Sequence, residues 1–152
     1  MARRLPRAVN IAIGEILVSR PVTRFNRWLL RHSGGRLGGG AFGMEVILVT
    51  TRGRRSGEPR SVPLGAVRDG ASWVVIASNA GHDQMPAWAL NLRAEPSTTV
   101  EHRGVAAPYR AHEARGDEAD RLWPIVIDAY AGYADYRTRT ERPIPLFVFE
   151  PE

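Results

Sequence analysis

The chain contains neither cysteine nor lysine, so all 21 of its strongly basic side chains are arginine. Without cysteine there is no thiol nucleophile, disulfide framework, cysteine zinc site or thiolate-held iron–sulfur cluster. Without lysine there is no Schiff-base chemistry, Walker A loop or Ser–Lys dyad. No run approaches the roughly 20 apolar residues of a membrane span. No serine lies in a G-x-S-x-G elbow. His32, His82, His102 and His112 include no pair at i, i+4 spacing, and no metal is expected. Arg3-Arg4 precede a mildly apolar run, but Asn10 and Glu15 interrupt it and no A-x-A site follows, so a cytoplasmic location is expected.

What remains is 152 residues, 43% of them apolar, enough for one domain with a real core. The formal charge of +5 is unevenly placed. Residues 1–31 hold Arg3, Arg4, Arg7, Arg20, Arg24, Arg27 and Arg31 against Glu15, a net of +6, which leaves −1 for residues 32–152. A broad basic face for nucleic acid is therefore absent, and no nucleic-acid partner is expected.

Residues 1–33 read as a basic amphipathic helical segment broken at Pro21. Val22, Phe25, Trp28 and Leu29 share one face, opposite Arg24, Arg27 and Arg31. That face either covers one end of the core or rests on an anionic membrane surface, which would place the protein peripherally on the inner face of the membrane. Residues 34–44 form a glycine-rich connector. Its G-x-G-x-x-G at Gly38, Gly40 and Gly43 precedes a strand instead of following one, which disfavours a dinucleotide fold.

Residues 45–152 read as mostly β. Strands are expected at 45–51, 60–68, 71–78, 97–103, 105–113 and 145–149, with hairpins at Asp69-Gly70 and Arg103-Gly104. A short helix starts at Pro86. A second helix spans 117–131, with Asp117 as its N-cap and Pro124 kinking or splitting it. Six short strands with few helices point to a small antiparallel barrel of class α+β.

The strongest local signal is TTRGRRSGEPRSVPLG, residues 50–65. Gly53 and Gly57 let backbone N–H groups approach an anion, and Arg54, Arg55 and Arg60 add bidentate donors. Ser56 adds a hydroxyl. Asn91, on the same helix face as Trp88, is a buried amide in need of partners, either a cofactor or the barrel's own backbone.

GRRSGEPR, the Asp69-Gly70 hairpin, ASNAG, PAWALNLRAEP and YAGYADYRTRTERPIPLFVFEP closely resemble, in order and without obvious insertions, the deazaflavin-dependent nitroreductase and quinone reductase family of actinobacteria. The resemblance runs from about residue 20 to the C-terminus. It implies a six-stranded antiparallel split β-barrel of the flavin-binding type, with flanking helices, that holds coenzyme F420 (an 8-hydroxy-5-deazaflavin with a phosphodiester and an oligoglutamate tail). It assigns the phosphate and tail to Arg54, Arg55, Ser56 and Arg60. It lays Ser61, Val62, Pro63, Leu64 and Gly65 along the cofactor, with Ile76, Ala77, Ser78 and Asn79 and then Ala87, Trp88, Ala89, Leu90 and Asn91.

Tyr130, Tyr133 and Tyr136, at i, i+3 and i+6, would cover one side of a helix. They either pack on the barrel or form a flap over the ring; the resemblance implies that they line the substrate pocket. Gly65, Asn79 and Ala87 stand where the nitroreductase branch carries tyrosine, lysine and methionine. The changes at 65 and 87 remove bulk near the expected pocket and put nitroimidazole reduction in doubt. The expected activity is hydride transfer from reduced F420 to a quinone-like or other electron-poor acceptor, with Tyr133, Tyr130, Tyr136 and Ser78 as the catalytic candidates. The alternatives are an FMN-binding oxidoreductase of the same fold and a non-catalytic deazaflavin carrier. The protein is expected to be a monomer.

Overall fold

A computed structural model describes residues 44–152. The helical segment expected over 1–33, and the connector as far as residue 43, lie outside the described residues. The strands are β1 (Glu45–Arg52), β2 (Pro59–Asp69), β3 (Ser72–Ile76), β4 (Ser97–His102), β5 (Val105–Glu113) and β6 (Leu146–Pro151). The helices are α1 (Ala87–Ala94), α2 (Asp117–Ala129) and α3 (Gly132–Tyr136).

All neighbouring strands are antiparallel and close into a barrel in the order β1-β2-β3-β6-β5-β4. The Arg103-Gly104 turn has φ of 51° and 82°, the left-handed pair that a two-residue hairpin of type I′ requires.

Side-chain alternation gives two cores. Ile47, Val49, Trp73, Val75, Val100, Phe147 and Phe149 fill the barrel, and Trp88 and Leu92 of α1 plug one end. Val74, Ile76, Leu146 and Val148 face outward and are covered by Leu122 and Val126 of α2 and by the three tyrosines.

Two helix expectations need correction. Gly116, with no side-chain cap bond, precedes α2, and Asp117 is its first helical residue. Pro124 neither splits nor ends α2, which runs on to Ala129. Leu122 and Val126, on either side of Pro124, are fully buried. That packing outweighs the roughly 3 kcal/mol that an internal proline costs.

The barrel is incomplete along one seam. β2 pairs with β1 over its whole first half, from Pro59 to Ala66. It pairs with β3 only from Ala66 to Asp69. Beyond Ile76 the chain leaves β2 and stays with the β6 side, where the Ala77 N–H donates to the Pro145 carbonyl. A split thus opens between residues 61–65 and residues 76–79. Asp69 and Ser72 flank a two-residue hairpin loop and so form a hydrogen-bonded pair. By alternation, Ser61, Pro63 and Gly65 then aim their backbone polar groups into the split. Pro63 is tolerated in mid-strand because the N–H it lacks would have faced the split and not β1.

Candidate active site

The turn between β1 and β2 is a closed, preorganised loop. The Gly53 N–H donates to the Glu58 carbonyl at 2.8 Å, and the Gly57 N–H donates to the Gly53 carbonyl at 2.7 Å. A Cβ on Gly53 would lie 2.7 Å from Ser56 Oγ and 3.1 Å from the Glu58 carbonyl, so a side chain there would displace the Ser56 hydroxyl and crowd the turn. The Ser56 hydroxyl accepts from the Glu58 N–H at 3.2 Å and from Arg60 Nη2 at 3.4 Å. Asn91 of α1 anchors the loop from below. Its Oδ1 accepts from the Arg54 backbone N–H and from Arg54 Nη1, both at 3.2 Å, while its Nδ2 donates to Thr51 Oγ1 at 3.1 Å.

Of the two readings of Asn91, the one with partners inside the barrel describes this geometry. The amide is satisfied by Thr51 and Arg54 and positions the arginine turn. Arg54, Arg55 and Arg60 pair with no carboxylate among the described residues. Elsewhere Arg93, Arg115, Arg103 and Arg121 meet Glu113, Glu45 and Asp69. Three exposed guanidinium groups that meet no carboxylate among the described residues thus stand on one hydrogen-bonded turn, with donors of the kind that suit an anion.

The second segment divides by face. Ser61, Pro63 and Gly65 lie opposite Thr50, Leu48 and Val46 on the outer face of the β1–β2 pair. Val62 and Leu64 point inward and pack against the barrel core. By the same alternation their backbone polar groups face β1, so neither their side chains nor their backbone N–H and C=O groups point into the split, which corrects the expectation that all five residues line it. Across the split, Ile76 belongs to the outer core and Ala77 to the inner one. Ser78 is buried, and its hydroxyl has no hydrogen-bond partner among the described residues.

Asn79 and Ala80 take left-handed φ of 45° and 54°, a strained pair for residues with side chains. Arg142 holds this loop: its Nη2 donates to the Ala77 and Ser78 carbonyls at 3.1 and 3.0 Å, and its Nε to the His82 carbonyl at 3.0 Å. Arg139 Nη1 donates to the Ala80 carbonyl at 2.8 Å. Asn79 Nδ2 donates to the Gln84 carbonyl. On α1, Ala87 is exposed and Leu90 half-buried. Trp88 and Ala89 belong to the barrel core, Trp88 meeting Phe147 edge-on at 5.2 Å, so they support the site from behind.

The tyrosines do not share one helix. Tyr130 ends α2 in an extended conformation, and Tyr133 and Tyr136 lie on α3. The three rings still cluster edge-to-face, with centroids 5.0–6.1 Å apart. The Tyr130 and Tyr136 hydroxyls are 3.2 Å apart. The Tyr133 hydroxyl donates to Met44 Sδ at 3.2 Å. It would lie 3.8 Å from a Cβ built on Gly65, which puts it at the top of the split. Burial pushes the Tyr133 phenol above the usual tyrosine range; burial and the Tyr130 hydrogen bond do the same for Tyr136. Both therefore stay neutral O–H groups at physiological pH.

Thr51, Met44 and Arg142 escaped the sequence reading. Their partners lie 40, 89 and about 60 residues away along the chain, and no local motif marks them.

Comparison with known proteins agrees with this geometry. A family model described as F420H(2)-dependent quinone reductase matches residues 22–151. An F420H(2)-dependent quinone reductase of Mycobacterium tuberculosis is 33% identical over 145 residues, covering 81% of this chain and 95% of that protein. A solved F420-H2 dependent reductase is 36% identical, covers 69% of this chain and 93% of its own, and superposes with a TM-score of 0.64. A second solved structure, described as a domain-swapped dimer, is 32% identical, covers 84% and 96%, and has a TM-score of 0.67. A heme-binding protein of Mycobacterium smegmatis, 17% identical with a TM-score of 0.56, shares the fold alone. With a split barrel, an arginine turn without counter-ions and these relatives, the chain belongs to the F420H(2)-dependent quinone reductase family, and coenzyme F420 is its cofactor.

Proposed function

We propose that this protein reduces a quinone-type acceptor in the split between β2 and β3, with the anionic tail of F420 held by Arg54, Arg55, Ser56 and Arg60. The observation that carries the reading is the juxtaposition of that turn with the open seam of the barrel. The residues fit the cofactor: arginines that pair with no carboxylate among the described residues suit a phosphodiester and carboxylates, and the backbone groups of Pro63 and Gly65 that face the split suit a planar heterocycle.

When bound, reduced F420 supplies a hydride; the chain supplies position and polarity. Asn91 holds the arginine turn, and Arg142 holds the loop that carries Ser78. The Tyr133 hydroxyl and Ser78 Oγ donate to the acceptor oxygen as negative charge develops there. Because burial keeps the Tyr133 phenol protonated, it serves as a neutral hydrogen-bond donor throughout the neutral range. Trp88, Phe147 and their neighbours keep the floor of the barrel rigid, so that acceptor and donor meet at reacting distance.

Nitroaromatics and activated enones are secondary acceptors in this reading; the space beside Gly65 is taken by Met44. The basic segment 1–33 gives a reversible contact with an anionic membrane, where lipid-soluble quinones reside. The test is anaerobic mixing of the protein with reduced F420 and menadione, followed through cofactor absorbance. Reoxidation at the uncatalysed rate would refute the assignment, and tight F420 binding without turnover would favour a carrier.

A further inference from the structure

We propose that Met44 is a specificity-determining residue whose thioether occupies the acceptor's place, so that an acceptor enters by displacing it. The inference rests on the quinone-reductase reading of the split and adds a residue to it. Three groups surround one small volume. Met44 Sδ accepts the Tyr133 hydroxyl at 3.2 Å. A Cβ on Gly65 would lie 3.0 Å from Met44 Cε, 3.4 Å from Met44 Sδ and 3.8 Å from the Tyr133 hydroxyl. Met44 therefore roofs the notch that Gly65 leaves open.

The chemistry of the contact favours exchange. A thioether sulfur is a weak acceptor, and a buried phenol bonded to it gains less than it would from an oxygen. A carbonyl oxygen on a flat ring would give Tyr133 a stronger acceptor in the same place. Methionine has an unbranched, flexible chain and withdraws more easily than a β-branched or aromatic residue. Because residue 65 contributes no side chain, acceptor size is selected by Met44, and flat carbonyl-bearing rings are the class that can take its place.

The experiment uses the full-length protein labelled with methyl-13C methionine and loaded with oxidised F420. The Met44 signal is assigned from Met44→Leu and followed while menadione is titrated. The expected result is a shift of the Met44 methyl signal with that of Met85 unmoved. In steady state, Met44→Ala lowers the KM for menadione by about 3- to 10-fold with a smaller change in kcat, and Met44→Leu, similar in bulk, recovers most of the wild-type KM. A silent Met44 methyl signal together with an unchanged KM in Met44→Ala, while wild-type turnover is normal, overturns this inference alone. Absence of menadione turnover in the wild type overturns the underlying reading and this inference with it.

Discussion

Replacing Asn91 by leucine should both loosen the fold and weaken the grip on an anion, for one reason. The side chain is 4% exposed and makes three hydrogen bonds, two of them with Arg54 and one with Thr51. Leucine is close in size, so little cavity is created; the cost is the loss of polar partners. Two neutral bonds at about 1 kcal/mol each, plus a partly exposed bond to the Arg54 guanidinium worth less than its buried equivalent, put the destabilisation at about 2–3 kcal/mol. For a domain of this size that corresponds to a fall in Tm of about 4–12 °C. The released turn should also bind F420 more weakly, with the largest loss for long oligoglutamate tails.

Asn91→Asp separates the two effects. A carboxylate can still accept both Arg54 bonds, and the Thr51 hydroxyl can turn to donate, so stability should stay near that of the wild type. The added negative charge lies inside the arginine turn, so tail binding should fall nonetheless. Thermal unfolding followed by circular dichroism gives the first quantity. Fluorescence titration with F420 of defined tail lengths, at low and high salt, gives the second. If Asn91→Leu keeps both its Tm and its tail-length dependence, Asn91 does not organise the turn and the coupling argued from its three bonds is wrong.

Arg55→Ala and Arg60→Ala should weaken F420 binding more for long tails than for short ones, and less at high salt; equal affinity across tail lengths would remove the tail from this turn. Tyr133→Phe should lower menadione turnover, by up to about 10²-fold if the O–H meets developing charge, while F420 affinity holds; parallel loss of both would make Tyr133 a packing residue. Burial raises the Tyr133 and Tyr136 phenols above their unfolded value of 10.0, so above pH 10 the unfolded chain binds fewer protons and stability falls as pH rises, by up to about 1.4 kcal/mol per pH unit for each. Phenolate absorbance should therefore show a late class of tyrosines that titrates only as the protein unfolds, and four tyrosines ionising together near pH 10 would contradict their burial. Removing residues 1–20, which takes away Arg3, Arg4, Arg7 and Arg20, should lower recovery with anionic vesicles and leave F420 binding intact; equal recovery of both forms would deny those arginines a part in membrane contact.

The parts of this protein written in local chemistry were legible from residues alone. Arg103-Gly104 announces its hairpin because a two-residue turn demands particular backbone angles, while the first hairpin turns one residue later than expected, at Gly70-Ala71, with Asp69 still in β2. The glycine-bounded turn that carries Arg54 and Arg55 was likewise legible within eight residues, as a turn. Which of Ser61 to Gly65 face the split was not legible, since a half-buried strand with proline and glycine lacks clean alternation. Nor was the break at Tyr130, where packing of three rings overrides the run of helical spacing. The supports of the site are contacts between distant stretches. Thr51 waits for Asn91, Met44 for Tyr133, and the Ala77 and Ser78 carbonyls for Arg142. Only a closed barrel brings such pairs together, and single-chain periodicity contains no trace of them.

Pro63 carries a further consequence. An unpaired strand edge is a template for a second polypeptide, and a cofactor protein exposes that template whenever its ligand is scarce. A residue that cannot donate, placed where β2 faces the split, interrupts any ladder an incoming strand would try to build there. With the cofactor bound as proposed, the seam would discriminate by length: a heterocycle spanning a few ångströms would fit, and an extended peptide would meet a missing rung. Pro63→Val would restore the rung, and ligand-free protein would then be expected to self-associate during storage, with saturating F420 suppressing it.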